Sequence, residues 1–353
     1  MGDIEEIYSN LLDIAVQELS ACLTDDTLNF VFITDLHHRK GGNMLRSATM
    51  IQQVASLLPL DFIVCGGDIS INGPKSEVIA AQKEIVEALA ASDAPLLMVK
   101  GNHDDNSIYD YELHSGSAAN VVYPDESRGI TLAPVQGKAK FNRNHPSGLY
   151  YYMDFPDKKT RVIVLDCTDI PYTHTDNGTL TYNGQWDYAF SNSQMNWLAD
   201  EALALVGKAG WRVLLASHIA ITQDGIFGAD HSVRNGSALW GIVKAFREGN
   251  CFSSEGGEGD FTYQVAADFS EQGKGTVLSC LFGHVHHDQI VFRDEIPMVS
   301  SLNACTHKEF ADSPEREEGT GSEAAFDIMA VDFEQSRIKA YRVGAGQHRM
   351  IDY

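Results

Sequence analysis

The sequence predicts an α/β protein, and three observations carry that reading. Short apolar runs alternate with longer helical patterns through the first hundred residues, metal-type side chains follow the ends of those runs, and no fixed-period repeat is visible.

"IEEIYSNLLDIAVQELSACL" (4–23) spaces its apolar residues as an amphipathic helix does, so an N-terminal helix is expected over about 3–23. "NFVFITD" (29–35) is the first buried strand, "NMLRSATMIQQVASLL" a helix, "LDFIVCGGD" (60–68) the second strand, "KSEVIAAQKEIVEALAAS" a helix, and "PLLMVKGNHD" (95–104) the third strand. Residues 105–148 and 169–190 are rich in Gly, Asn, Asp, Ser and Tyr with weak periodicity and read as loops over the strand ends. Between them "GLYYYMDF" and "TRVIVLD" form a hairpin closed by Pro156-Asp157-Lys158-Lys159. Ser191 stands three residues ahead of Gln194, a capping-box pattern that opens the next helix. "WRVLLASH" and "GTVLSCLFGHVH" are strands, 308–324 is a polar, mobile linker, and "AFDIMAVDF" with "RIKAYRV" make a C-terminal hairpin over about 325–343.

Bulk properties exclude several function classes. With 26 Lys+Arg against 49 Asp+Glu the formal net charge is -23, which repels a phosphate backbone, so no nucleic-acid partner is expected. The N-terminus "MGDIEEIYSN" is acidic where a signal peptide is basic, Glu6 replaces the Ser or Thr of a myristoylation site, and no apolar run is of membrane length, so no membrane partner is expected. The six cysteines have no C-x-x-C spacing and sit mostly inside apolar runs, as reduced thiols of a cytoplasmic protein do.

Function lies at the strand ends. In open α/β sheets ligands collect beyond the carboxyl ends of the strands. Here those ends carry Asp35-Leu36-His37, Gly67-Asp68, Gly101-Asn102-His103-Asp104, His218 and Gly283-His284-Val285-His286. Any one of these is an ordinary cap or surface residue; five together are not.

D-x-H, G-D, G-N-H-D, a lone His after an apolar strand and G-H-x-H, in this order, resemble the calcineurin-like metallophosphoesterases over roughly residues 29–290. The resemblance implies one domain over 1–353, a four-layer α/β/β/α sandwich of two mixed sheets flanked by helices, with the metal site at the strand carboxyl ends. It also implies two divalent or mixed-valent ions (manganese, iron or zinc), with Asp35, His37 and His286 on one, Asn102, His218 and His284 on the other, and Asp68 bridging. His218 is followed by Ile219-Ala220 rather than x-Pro, which keeps His231 and His174 as alternatives to it. The ions lie about 3.5 Å apart in such sites and need a bridging carboxylate, which presents one oxygen to each. With Asp35 and Asp68 as the only anionic ligands, the site stays electropositive.

The implied reaction is hydrolysis of a small-molecule phosphate ester by a metal-bridging hydroxide that attacks phosphorus in line. His103 donates a proton to the leaving oxygen or steadies the phosphoryl charge, and Asp104 orients His103 or caps a helix. Asn72-Gly73, where phosphoprotein phosphatases have Asp-Arg-Gly, resembles the cyclic-nucleotide phosphodiesterase-like branch and favours a phosphodiester over a phosphomonoester. A catalytically silent protein-binding scaffold is the further alternative, against which all eight positions are filled. Tyr109, Tyr111, Tyr123, Tyr172, Tyr182, Trp186 and Tyr188 either stack a base or pin their loops.

In extended backbone residues i and i+2 share a face. By that rule His284 and His286 address the ions and His287 does not, while Asp35 pairs with His37 and excludes His38, leaving His38 and His287 either behind the ligands or at the mouth, in contact with substrate or water.

Overall fold

A computed structural model describes residues 2–20 and 22–353; Met1 and Ala21 lie outside the described residues, and with them one position of the expected N-terminal helix. In chain order the elements are α1 (Gly2–Leu19), β1 (Leu28–Ile33), α2 (Met44–Leu57), β2 (Phe62–Cys65), α3 (Lys75–Leu89), β3 (Leu96–Met98), α4 (Ser107–Glu112) and α5 (Pro124–Thr131). Then come β4 (Lys140–Phe141), β5 (Tyr151–Phe155), β6 (Thr160–Val164), α6 (Asn192–Trp197), β7 (Arg212–Ala216), α7 (Gly236–Glu248), β8 (Cys251–Gly256), β9 (Tyr263–Asp268) and β10 (Thr276–Phe282). The chain closes with β11 (Gln289–Arg293), β12 (Ile296–Ser300), β13 (Ala325–Asp332), β14 (Arg337–Gly344) and β15 (Arg349–Asp352).

Two mixed sheets stack face to face. The first has the order β15-β14-β13-β1-β2-β3, with β1, β2 and β3 parallel and β13 antiparallel to β1. The second runs β11-β12-β10-β7-β6-β5-β4, with β6, β7, β10 and β12 parallel. The period of two explains the continuous apolar strands. Phe30, Phe32, Phe62 and Val64 point between the sheets, against Val162, Val164, Leu214 and Leu278. Val31, Ile33, Ile63 and Cys65 point the other way, under α1, α2 and α3. Ile163, Val213 and Leu215 face α6 and α7. Helix, sheet, sheet and helix are thus four layers around three apolar interfaces.

Several expectations are modified. Residues 105–148 contain α4, α5 and the short β4 as well as loops. The Ser191 hydroxyl accepts from the Gln194 amide at 3.1 Å as the capping pattern requires, but α6 relaxes after Trp197 into a wider turn closed by Leu203 N–H on the Leu198 carbonyl. The 308–324 segment has no helix or strand, yet Arg316 ties it down by donating to the carbonyls of Asn303, Ala304, Ser322 and Glu323. Helix α7, the β8–β9 hairpin and the β11–β12 pair add to the expected elements. All six cysteines are free; Cys65, Cys167 and Cys280 are buried and Cys251 is exposed.

Candidate metal centre

The parallel strands of both sheets end on one edge, and the proposed ligands converge there. β1 delivers Asp35 and His37, β2 Asp68, β3 Asn102 and His103, β7 His218, and β10 His284 and His286. Asp35, His37 and His286 form one group and Asp68, His218 and His284 another, each with its ligand atoms within 4.8 Å of one another. Around Asp35, His286 Nε2 lies 3.2 Å from Oδ1 and 3.4 Å from His37 Nε2. Around Asp68, His218 Nε2 lies 3.2 Å from Oδ2, and Asn102 Oδ1 lies 3.0 Å from His218 Nε2 and 3.1 Å from His284 Nδ1. Ligands held at ~2.0–2.2 Å from a shared ion stand about 3 Å apart, so the donor set fits two transition-metal ions. His231 and His174 are elsewhere, bound to Asp230 and Tyr123 respectively.

Asp68 Oδ2 is turned to both groups, at 3.2 Å from His218 and 3.9 Å from His37. Its Oδ1 accepts the His103 backbone N–H at 2.8 Å. Of its two oxygens, Oδ2 is thus the one that faces both ligand groups, while Oδ1 is turned to the backbone.

Backbone conformation, not strand parity, sorts the neighbours. Asp35, His37, Asp68, His284 and His286 all have left-handed φ, between 41° and 66°, five of the twelve non-glycine residues that do. Such residues cost about 1–3 kcal/mol each and persist where surrounding structure over-determines them. Here glycines let the turns close: a Cβ on Gly101 would meet Asp68, and one on Gly283 would meet Thr34 and Asp35. β1 and β10 stop before their histidines, so the extended-backbone premise fails although the sorting it predicted matches the placement. The mouth reading of His38 is corrected, because it is buried with Nε2 2.9 Å from Glu84. His287 packs between Phe227 and Phe310, 3.7 Å from Asp312.

Outer partners fix which ring nitrogen faces inward. His218 Nδ1 donates to the Gly66 carbonyl at 2.7 Å, freeing Nε2. His284 Nε2 lies 3.0 Å from Asp230, which also accepts from Tyr188 Oη, freeing Nδ1. His286 Nδ1 lies 3.3 Å from Glu309. Burial works to raise the Asp35 carboxyl, but His286 and His218 hold it at about 2. Asp230 is held low against its own burial by its hydrogen bond to His284. Asp230 and Glu309 add two carboxylates behind the ligand imidazoles to the two, Asp35 and Asp68, in the ligand groups.

His103 stands at the edge, its ring centroid 5.1 Å from that of His37 and its Nε2 4.0 Å from Asp68 Oδ2. Its Nδ1–H donates to Asn72 Oδ1 at 2.5 Å, and its Nε2 accepts from the Gln185 amide at 3.1 Å. Asp104 does not orient it. Both Asp104 oxygens instead accept backbone N–H groups, from Ile69 at 2.8 Å, Asp68 at 3.1 Å and Gly101 at 2.7 Å, so Asp104 braces the Asp68 turn. Burial and then the Asp68 charge push its carboxyl up to about 7. Sequence reasoning noticed Asn72 only as a departure from a motif, and it missed Gln185, Asp230 and Glu309, which lie in loops without a local signal. Of the loop aromatics, Tyr172 donates to Asp105, Tyr182 to Asp260 and Tyr188 to Gln185 and Asp230, contacts that pin loops.

Comparison with known proteins decides the family. A family model described as calcineurin-like phosphoesterase matches residues 28–288. This chain belongs to that family. Among solved structures it is similar to GAP50, the anchor in the inner membrane complex of Plasmodium, at 12% identity with a TM-score of 0.51, covering 93% of this chain and 89% of that one. TT1561 of Thermus thermophilus follows at 11% identity with a TM-score of 0.41, covering 90% and 99%. Phosphopantetheinyl hydrolase of Mycobacterium tuberculosis matches at 11% with a TM-score of 0.30, covering 79% and 91%. These likenesses concern the fold. No curated protein matches.

Proposed function

We propose that this member of the family is a binuclear metal-dependent phosphoesterase that prefers a phosphodiester to a phosphomonoester. One observation carries the reading: His103 sits beside a complete two-ion donor set, its ring held from behind by Asn72 and its Nε2 turned toward the centre. Bound at Asp35, His37, His286 and at Asp68, Asn102, His218, His284, the ions supply positive charge to the phosphoryl oxygens and lower the pKa of water.

The chain's own residues do the rest. Asp230, Gly66 and Glu309 orient the ligand imidazoles, and Asp104 fixes the turn that presents Asp68. Asn72 holds Nδ1–H of His103, so a second proton on Nε2 is available to a departing alkoxide. Gln185 covers Nε2 and must turn its amide over to accept from that second proton; its Oε1 is buried without a hydrogen-bond partner.

Charge supports the diester. Four carboxylates against two dications leave a centre close to neutral, which suits a monoanionic diester better than a dianionic monoester. The neutral Asn72 behind His103 adds no anion. With Mn²⁺ restored, bis-p-nitrophenyl phosphate should turn over faster than p-nitrophenyl phosphate, and a cyclic nucleotide should also be cleaved. The reverse order on the aryl pair would transfer the assignment to the monoesterase reading, and no turnover with two ions bound would favour the silent scaffold. Among the described residues no helix is long and apolar enough to cross a membrane, and six free thiols support a cytoplasmic setting.

A further inference from the structure

Beside the metal centre the first sheet leaves a cleft of about 690 Å³, lined among others by Arg39, Lys40, Asn72, Ser76, Glu77 and Tyr109. Its walls belong to the site. Arg39 and Lys40 lie two and three positions after His37, with His38 between, and Asn72 is the residue that holds His103. The cleft therefore lies beside His103, on the side of the ring that Asn72 holds.

Its charge is opposite to that of the molecule. In a chain of net charge -23 this cleft has two cations on its lining and one acid, Glu77. Arg39 and Lys40 are exposed, and neither forms an ion pair among the described residues. The nearby acid Glu84 is already engaged by His38 and by the Gly41 amide at 2.6 Å. The fifteen-residue helix α3 begins at the same wall. Its Lys75 amide is satisfied by Asn120 and those of Glu77 and Val78 by the Pro74 carbonyl, whereas the Ser76 amide has no protein acceptor among the described residues. Two side-chain cations and the positive end of a helix thus face one concave space.

We infer that this cleft is a subsite for a second anionic group on the substrate: a linear phosphoester whose organic part carries a further phosphate or carboxylate. The inference rests on the phosphoesterase reading and deepens it. It also assigns a division of labour: the centre takes the reacting phosphoryl group, and the cleft reads a second charge on the organic part. A cyclic nucleotide, with a single anion, leaves the subsite unused.

The test is calorimetric and independent of turnover. Mn²⁺-loaded, desalted protein is titrated with propyl, hexyl and octyl phosphate and with the corresponding α,ω-diol bisphosphates and ω-carboxylates. At one or more lengths the dianchored ligand should bind about tenfold tighter than its monophosphate partner. Arg39→Ser/Lys40→Ser should abolish that preference, and Glu77→Gln, which removes the opposing charge, should enlarge it. Preference for the bisphosphates alone would assign the second group as phosphate; preference for both series would assign any anion. Equal affinities at all three lengths, or a preference that survives in the double variant with both ions present, would overturn the subsite. Failure of wild-type protein to hydrolyse bis-p-nitrophenyl phosphate would strike the phosphoesterase reading separately, because the binding comparison does not depend on it.

Discussion

The two halves of the metal centre use the same residue types at different depths. Of the histidines, His218 is wholly buried and His284 keeps 11% of its side-chain surface, whereas His37 and His286 keep 17% and 16%; both carboxylates, Asp35 and Asp68, are buried. The outer partners differ in support rather than in depth, Asp230 being 37% exposed and Glu309 40%. His284 leans on Asp230, itself tied to the buried Tyr188, while His286 leans on Glu309, which is 40% exposed and shared with His307. Buried charge interactions are screened less by water than exposed ones, so the Asp68 half should bind its ion the more tightly. His103 stands beside both halves, its Nε2 4.0 Å from Asp68 Oδ2 and its ring centroid 5.1 Å from that of His37. The halves thus share one reacting group while differing in how firmly each should hold its ion.

The largest expected effect removes the division altogether. Asp68→Ala deletes the carboxylate whose Oδ2 faces both groups, so bound metal should fall from two ions to fewer than one by elemental analysis. Activity should fall by more than the ~10- to 100-fold that loss of an outer partner costs. Two tightly held ions in that variant would mean the halves are independent sites.

Next is the residue beside both halves. His103→Gln leaves all seven proposed ligands in place, so metal content should hold while the rate drops by about 10²- to 10⁴-fold. The loss should be greater for an alkyl ester than for a nitrophenyl ester, whose leaving group departs without a proton. Equal losses, with chemistry rate-limiting, would reassign His103 to electrostatic stabilisation of the phosphoryl group.

The finest comparison is between the outer partners. Asp230→Asn should weaken one ion by about 10- to 100-fold, and Glu309→Gln should weaken the other by less, because Glu309 is shared with His307 and lacks the buried Tyr188 that holds Asp230. An equal or larger effect from Glu309→Gln in metal competition assays would reverse the assigned order of support.

The strand skeleton and its ligands were legible because β1, β2, β3, β7 and β10 are buried on both faces and read as apolar runs that stop at Asp, Asn or His. The geometry between the ligands was not legible. Alternation along an extended strand cannot describe Asp35, His37, His284 and His286, whose left-handed turns depend on glycines and on contacts between two sheets distant in sequence. Asp104 illustrates the same limit: adjacency to His103 suggested a partner, yet its side chain turns to the backbone of Asp68 and Ile69. Asp230 lies 54 positions from His284 in a loop with no regular pattern, and only folding brings them together.

The most direct test of a two-depth, two-ion centre is a metal titration of chelator-stripped protein followed by calorimetry in buffers of different protonation enthalpy. Without ions, burial opposes charge on His218, yet Asp68 and then Asp35 raise it to about 10; Asp35 likewise raises His286 to about 9, while burial keeps His37 down at about 4. Ligation needs neutral imidazole, so at pH 7 the incoming ions should expel the protons of His218 and His286, and apparent affinity should rise with pH until about 9 for the His286 ion and about 10 for the His218 ion. The account predicts two binding steps, the tighter one weakened by about 10- to 100-fold in Asp230→Asn, each accompanied by proton release. A single step, or two steps whose heats are the same in every buffer, would contradict it.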